Sequence, residues 1–119
     1  MSELTSSGRR RVDLETALHR LEGDRELLRE IIAMFLQEHP SMIEQIRAAI
    51  AEQNAGALQR AAHKLKGCVG YIAADDLAQL AYRLECMGRA AALDRAGECF
   101  NELLAVLEEV KQALLEKAA

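Results

Sequence analysis

From Val12 onward, apolar residues recur every three or four positions almost without a pause. That is the spacing of helices with one buried face. Leu14, Ala17, Leu18 and Leu21 form a first short stripe, with Asp13 placed to cap it and Gly23 placed to end it. Asp24 is the matching cap of a second helix, which carries Leu28, Ile31, Ile32 and Phe35 on one side. The stretch His39-Pro40-Ser41 predicts a break or bend in that helix, because the residue before a proline is pushed away from helical backbone angles. Ile43, Ile46 and Ile50 then resume the stripe as far as Gln53.

Asn54 predicts the cap of a third helix. Asp75 or Asp76 would cap a fourth, with Leu77, Leu80, Leu84 and Met87 turned inward and Gly88 near its end. Asp94 opens the last. There Ala96, Phe100, Leu103, Leu107, Val110 and Leu114 alternate steps of four and three. No stretch alternates with the period of a strand, and no hairpin turn appears. The expected fold is all-α: an antiparallel four-helix bundle with short loops and one or two short additional N-terminal helices. Residues 1–11, "MSELTSSGRRR", are small and polar and read as a flexible leader, which leaves 12–119 as one domain.

Composition narrows the function. Half the residues are hydrophobic, yet there are two Phe, two Tyr, no Trp and one Pro. That favours helices over sheet and speaks against disorder. A net charge of -4 disfavours nucleic-acid binding by bulk charge. No apolar run reaches transmembrane length, so no direct membrane contact is expected. Cys68, Cys86 and Cys99 are widely spaced, with no CxxC pair, which fits a reducing cytoplasm and no structural zinc.

One stretch carries candidate chemistry: "RAAHKLKGCVGYIAA", Arg60 to Ala74. On a helical wheel Leu58, Ala62, Leu65, Val69 and Ile72 share one stripe, and His63 points roughly 140° away from Leu58. Lys66, Gly67 and Gly70 follow at i+3, i+4 and i+7, the positions stacked beside the imidazole. A mid-helix glycine costs about 1 kcal/mol relative to alanine. Without a Cβ, Gly67 leaves the ring open on that flank, and Gly70 lengthens the bare strip. Lys66 puts a positive charge one turn away, and Lys64 could reach from the side. An exposed imidazole with space and ammonium groups beside it suits a nucleophile that takes up a phosphoryl group. The same features also describe an ordinary surface histidine, a glycine kept for close helix packing and lysines on a solvated face. Spacing alone leaves those readings open.

The motif "AHKLKGCVGYIAA" resembles the signature of histidine-containing phosphotransfer (HPt) domains, roughly A-H-x-L-K-G followed by small residues and an apolar turn. Ala62, His63, Leu65, Lys66 and Gly67 match in place. The segments "VDLETALHRLEGDRELLREIIAMFLQEHPSMIEQIRAAI" and "LAQLAYRLECMGR" resemble the family's helices before and after the site. Cys68 stands where Ser or Ala is common, and Ala73 replaces the usual glycine of the turn. The resemblance implies a phosphorelay carrier. His63 would accept a phosphoryl group from a receiver-domain aspartate and pass it reversibly to another receiver. Lys66 and Lys64 would stabilise the group, and Gly67 and Gly70 would give steric access. No cofactor of its own is implied, since the partner receiver would bring an acidic pocket and Mg²⁺. The implied partners are receiver domains of response regulators or hybrid sensor kinases, met by a monomer.

No nucleotide-binding pattern occurs, so autophosphorylation from ATP is not expected, although the chain could be the C-terminal domain of a hybrid kinase. Met34 and Leu36 flank the inward stripe of the second helix and are candidate receiver-docking residues. Two alternatives are a helical-bundle interaction module that works without phosphorylation and a metal-binding bundle. The latter wants Glu-x-x-His pairs, and Arg60 stands three residues before His63.

Overall fold

The computed structural model describes residues 12–118; the expected leader at 1–11 and the last residue of the expected domain lie outside the described residues. Among the described residues five helices follow one another: α1 Leu14–Arg20, α2 Arg25–Ala51, α3 Ala55–Gly70, α4 Asp75–Arg89 and α5 Ala96–Ala118. There is no strand among the described residues. Helix α2 packs on α3, α3 on α4, α4 on α5, and α5 back on α2, while α1 lies against α2. The apolar stripes meet in one core. Ile46, Leu58, Leu65, Ile72, Leu77, Leu84, Leu103 and Leu114 are among its fully buried side chains.

Three of the expected caps form. Asp13 accepts from the Thr16 amide, Asp24 from Leu27 and Asn54 from Ala57. Two expected helix starts are corrected. The N-cap of α4 is Ala74, with no side-chain cap, and Asp75 and Asp76 lie in the first helical turn. They still oppose the positive end of the helix dipole there. The last helix begins at Ala96 rather than at Asp94.

Pro40 does not break the second helix, which runs unbroken from Arg25 to Ala51. A mid-helix proline costs about 3 kcal/mol. Against it stand Ile32 and Phe35 before the proline and Met42, Ile43 and Ile46 after it, all buried. Each such side chain contributes about 1.5–3 kcal/mol when buried, so packing on both sides outweighs the local cost. His39, expected at a bend, is instead buried and stacked on Phe35 with ring centroids 5.3 Å apart. Burial and the facing Lys111 push its pKa below the usual value, despite Glu108.

The connections are short because four helices end in the same way. At each end an amide bonds back five residues: Gly23 to Leu18, Asn54 to Ala49, Ala74 to Val69 and Ala92 to Met87. The residue before each of those amides is left-handed: Glu22, Gln53, Ala73 and Ala91, with φ between 52° and 57°. These are Schellman ends without the usual glycine. Ala73 therefore adopts the turn that its family resemblance assigns to a glycine. Its carbonyl accepts from the Asp13 amide, and the neighbouring Gly70 carbonyl accepts from Arg20, so the α1 segment braces the end of α3.

Candidate functional site

Helix α3 fixes the direction of His63. Leu58, Ala62, Leu65, Val69 and Ile72 are all fully buried, which turns the opposite side of the helix outward. The His63 side chain is 67% exposed. A Cβ built on Gly67 would meet nothing within 4 Å, and the same is true of Gly70, the last residue of α3. Gly67 therefore does not serve packing between helices. It leaves open space beside the imidazole.

The other side of the ring is occupied by α4. Glu85, with a side chain only 5% exposed, places Oε2 3.0 Å from His63 Nδ1. Arg89 donates to the same oxygen at 3.0 Å. Lys66 Nζ lies 2.8 Å from the other oxygen, Oε1, as an ion pair. Lys66 also rests over the Tyr82 ring, 4.9 Å from its centroid. Burial works to raise the Glu85 pKa, but Lys66 and His63 outweigh it and bring it below the usual carboxylate value. Glu85 is therefore ionised at neutral pH and can only accept. His63 Nδ1 must then be the donor, and a neutral ring keeps its lone pair on Nε2, at the opposite edge.

Gly88 explains how α4 comes so close. A Cβ there would sit 2.6 Å from the Gln59 amide nitrogen and 2.7 Å from the Ala55 carbonyl oxygen. Only a glycine lets the two backbones touch at this point. Gln59 is one turn before His63, and Glu85 is three residues before Gly88. The contact thus sets the gap that Glu85 bridges.

Of the sequence-derived site residues, His63, Lys66, Gly67 and Gly70 come together on one face. Lys64 does not join the Glu85 cluster; it turns toward α2 and lines a shallow cavity with Gln45, Glu52 and Arg60. Met34 and Leu36 are also separated. Met34 is exposed and lines an apolar cavity of about 160 Å³ with Cys68 and Tyr71, whereas Leu36 is half-buried against the core. The Cys68 thiol faces that cavity, and burial pushes its pKa up, which makes it a poor nucleophile. Glu85, Arg89 and the role of Gly88 were missed from sequence. The available signal was a carboxylate at the border of an apolar stripe, four residues before an arginine.

An imidazole beside one carboxylate and two cations is a poor metal site and a good place to receive an anion. Among the described residues no helix is long and apolar enough to cross a membrane. The Hpt domain family model matches residues 30–113. The histidine-containing phosphotransfer protein B (HptB) from Pseudomonas aeruginosa PAO1 has a similar solved structure, with a TM-score of 0.84, 19% sequence identity and 96% of each chain covered. At that identity the likeness speaks for the fold. Comparison with curated proteins gives no match. Since the family match spans well over half of the sequence, the chain belongs to the Hpt domain family.

Proposed function

We propose that His63 is the residue through which this Hpt domain, a phosphorelay carrier, takes up and returns its phosphoryl group. The observation that carries the reading is the Glu85 contact at Nδ1, which leaves Nε2 as the free nucleophile on an exposed ring. In the step, Nε2 attacks the phosphorus of a receiver's aspartyl phosphate. The Nε2–P bond forms, the P–O bond breaks, and the aspartate leaves with the electron pair. Nδ1 keeps its proton, so the ring becomes cationic, and Glu85 lies against that charge. The reverse sequence returns the group to a receiver.

The surrounding residues take the roles that their positions support. Gly67 and Gly70 keep the approach bare, Lys66 offsets the incoming charge, and Lys64 adds a more distant positive field. Met34, with Leu36 at its margin, offers apolar surface to the docked receiver, which supplies the Mg²⁺ and acidic pocket. The ring of contacts α2–α3–α4–α5–α2 supports an antiparallel four-helix bundle, with the short helix α1 before it, within an HPt domain spanning 12–119. The carrier has no autokinase activity and acts as a monomer. Incubation with phosphorylated receiver domains tests the reading. Acid-labile phosphate should appear on His63, and its absence across receivers that exchange with other Hpt domains would remove the assignment.

A further inference from the structure

Glu85 is a buried carboxylate with more cationic company than it needs. It faces two charged side chains, Lys66 and Arg89, as well as the His63 ring. The three contacts divide between the two carboxylate oxygens. Oε2 takes two directional hydrogen bonds, from His63 and Arg89, at 3.0 Å each. Lys66 meets the other oxygen, Oε1, as an ion pair at 2.8 Å. Glu85 cannot follow a moving partner. It sits on α4, almost fully buried, close to the glycine contact that locks α4 against α3. Lys66 can move, since it is a flexible side chain, 32% exposed, on the same helix as His63 and one turn away.

Loading His63 changes the balance of charge. The ring becomes cationic against Glu85, and a phosphoryl group of roughly two negative charges appears beside Lys66. Each anion then has its own partners if Lys66 changes sides. Resting on the His63 reading above, we infer that Glu85 is a charge-exchange point. It stores Lys66 while His63 is free and releases it to the phosphoryl group on loading, with Arg89 and the cationic ring remaining as the carboxylate's counter-ions. Arg89 is thereby a positioning residue. It acts on the phosphoryl group through Lys66, by weakening the grip of Glu85 on that lysine.

The test uses the full chain phosphorylated by phosphoramidate, which needs no partner protein; the P–N bond of the donor breaks and ammonia leaves. Phosphate located anywhere but His63 would overturn the reading on which the inference rests. With His63 loaded, the lifetime of the phosphorylated form is compared for wild type, Lys66→Ala, Arg89→Ala and the double variant. Lys66→Ala should shorten it roughly fivefold, the size of a partly screened charge contact. Arg89→Ala should shorten it about twofold by the same screening argument. The double variant should match Lys66→Ala. Multiplying effects would mean that Arg89 touches the phosphoryl group itself, and an unchanged lifetime in either single variant would also overturn the exchange. A second readout follows the Lys66 ammonium signal by NMR. Glu85→Gln should shift it in the free protein and leave it unchanged in the phosphorylated one. An equal shift in both states would show that Lys66 never leaves Glu85.

Discussion

Gly67 and Gly88 are both helical glycines, and each carries a cost of about 1 kcal/mol relative to alanine. One lies on the open side of the His63 ring and the other on its closed side. A Cβ at Gly67 would meet open space, while one at Gly88 would strike the backbone of α3 at 2.6 Å. The same residue type thus serves opposite ends. One glycine keeps a surface bare for a partner, and the other lets two helices touch so that Glu85 reaches the acceptor. A glycine in a helix says that a side chain is unwelcome, and only the neighbouring helix says why.

Substitution by alanine should separate the two. Gly88→Ala forces the helices apart and should cost about 2–3 kcal/mol of stability, as overpacking in a close contact does. A lowered melting temperature checks this, and an unchanged one would remove the crossing from the account. Gly67→Ala should instead preserve or raise stability, by up to about 1 kcal/mol. On the open side the effect belongs to transfer. Gly67→Gln should melt near wild type but slow receiver-to-His63 transfer, with Gly67→Ala between them. Equal rates for all three would end the access argument.

The closed side should also respond to pH. The folded pKa of Glu85 lies below its ordinary value of 4.5, so the stability contributed by its ionised form is fully present above that value. It is lost as pH falls through the folded value. Acid unfolding should therefore show wild type losing more stability than Glu85→Gln as pH falls below the ordinary carboxylate value of 4.5. Parallel curves would mean that the carboxylate's pairing adds nothing to folding.

The smallest effect concerns a third kind of site, where glycine is missing although the backbone asks for it. Ala91 is exposed with φ 52°. Ala91→Gly should raise stability by about 0.5–1 kcal/mol, because the left-handed conformation is strained for alanine and free for glycine. Denaturant unfolding midpoints measure it, and a lower midpoint would show that chain entropy outweighs the strain.

What could be read from the chain divides along the same line. The stripe Leu58–Ile72 fixed which way His63 points, and local side chains announced the caps at Asp13, Asp24 and Asn54. These depend on residues a few positions apart. Pro40 misled because a local rule met burial on both sides of it. Asp75 was an attractive cap by type, but the α3 end motif runs directly into α4 and makes Ala74 the cap. Glu85 lies 22 residues from His63. Its role depends on which helix packs beside α3, and no local spacing carries that information. The half of the site borne by α3 was therefore legible, and the half supplied by α4 was not.

The central claim is that His63 is an exposed nucleophile rather than a member of the core. The direct measurement is phosphoryl transfer from a phosphorylated receiver to wild type and to His63→Gln, with thermal melting of both proteins. No transfer to the variant is expected, with a stability change of less than about 0.5 kcal/mol, as for an exposed substitution. Transfer to the variant at the wild-type rate, or a large drop in its melting temperature, would contradict it.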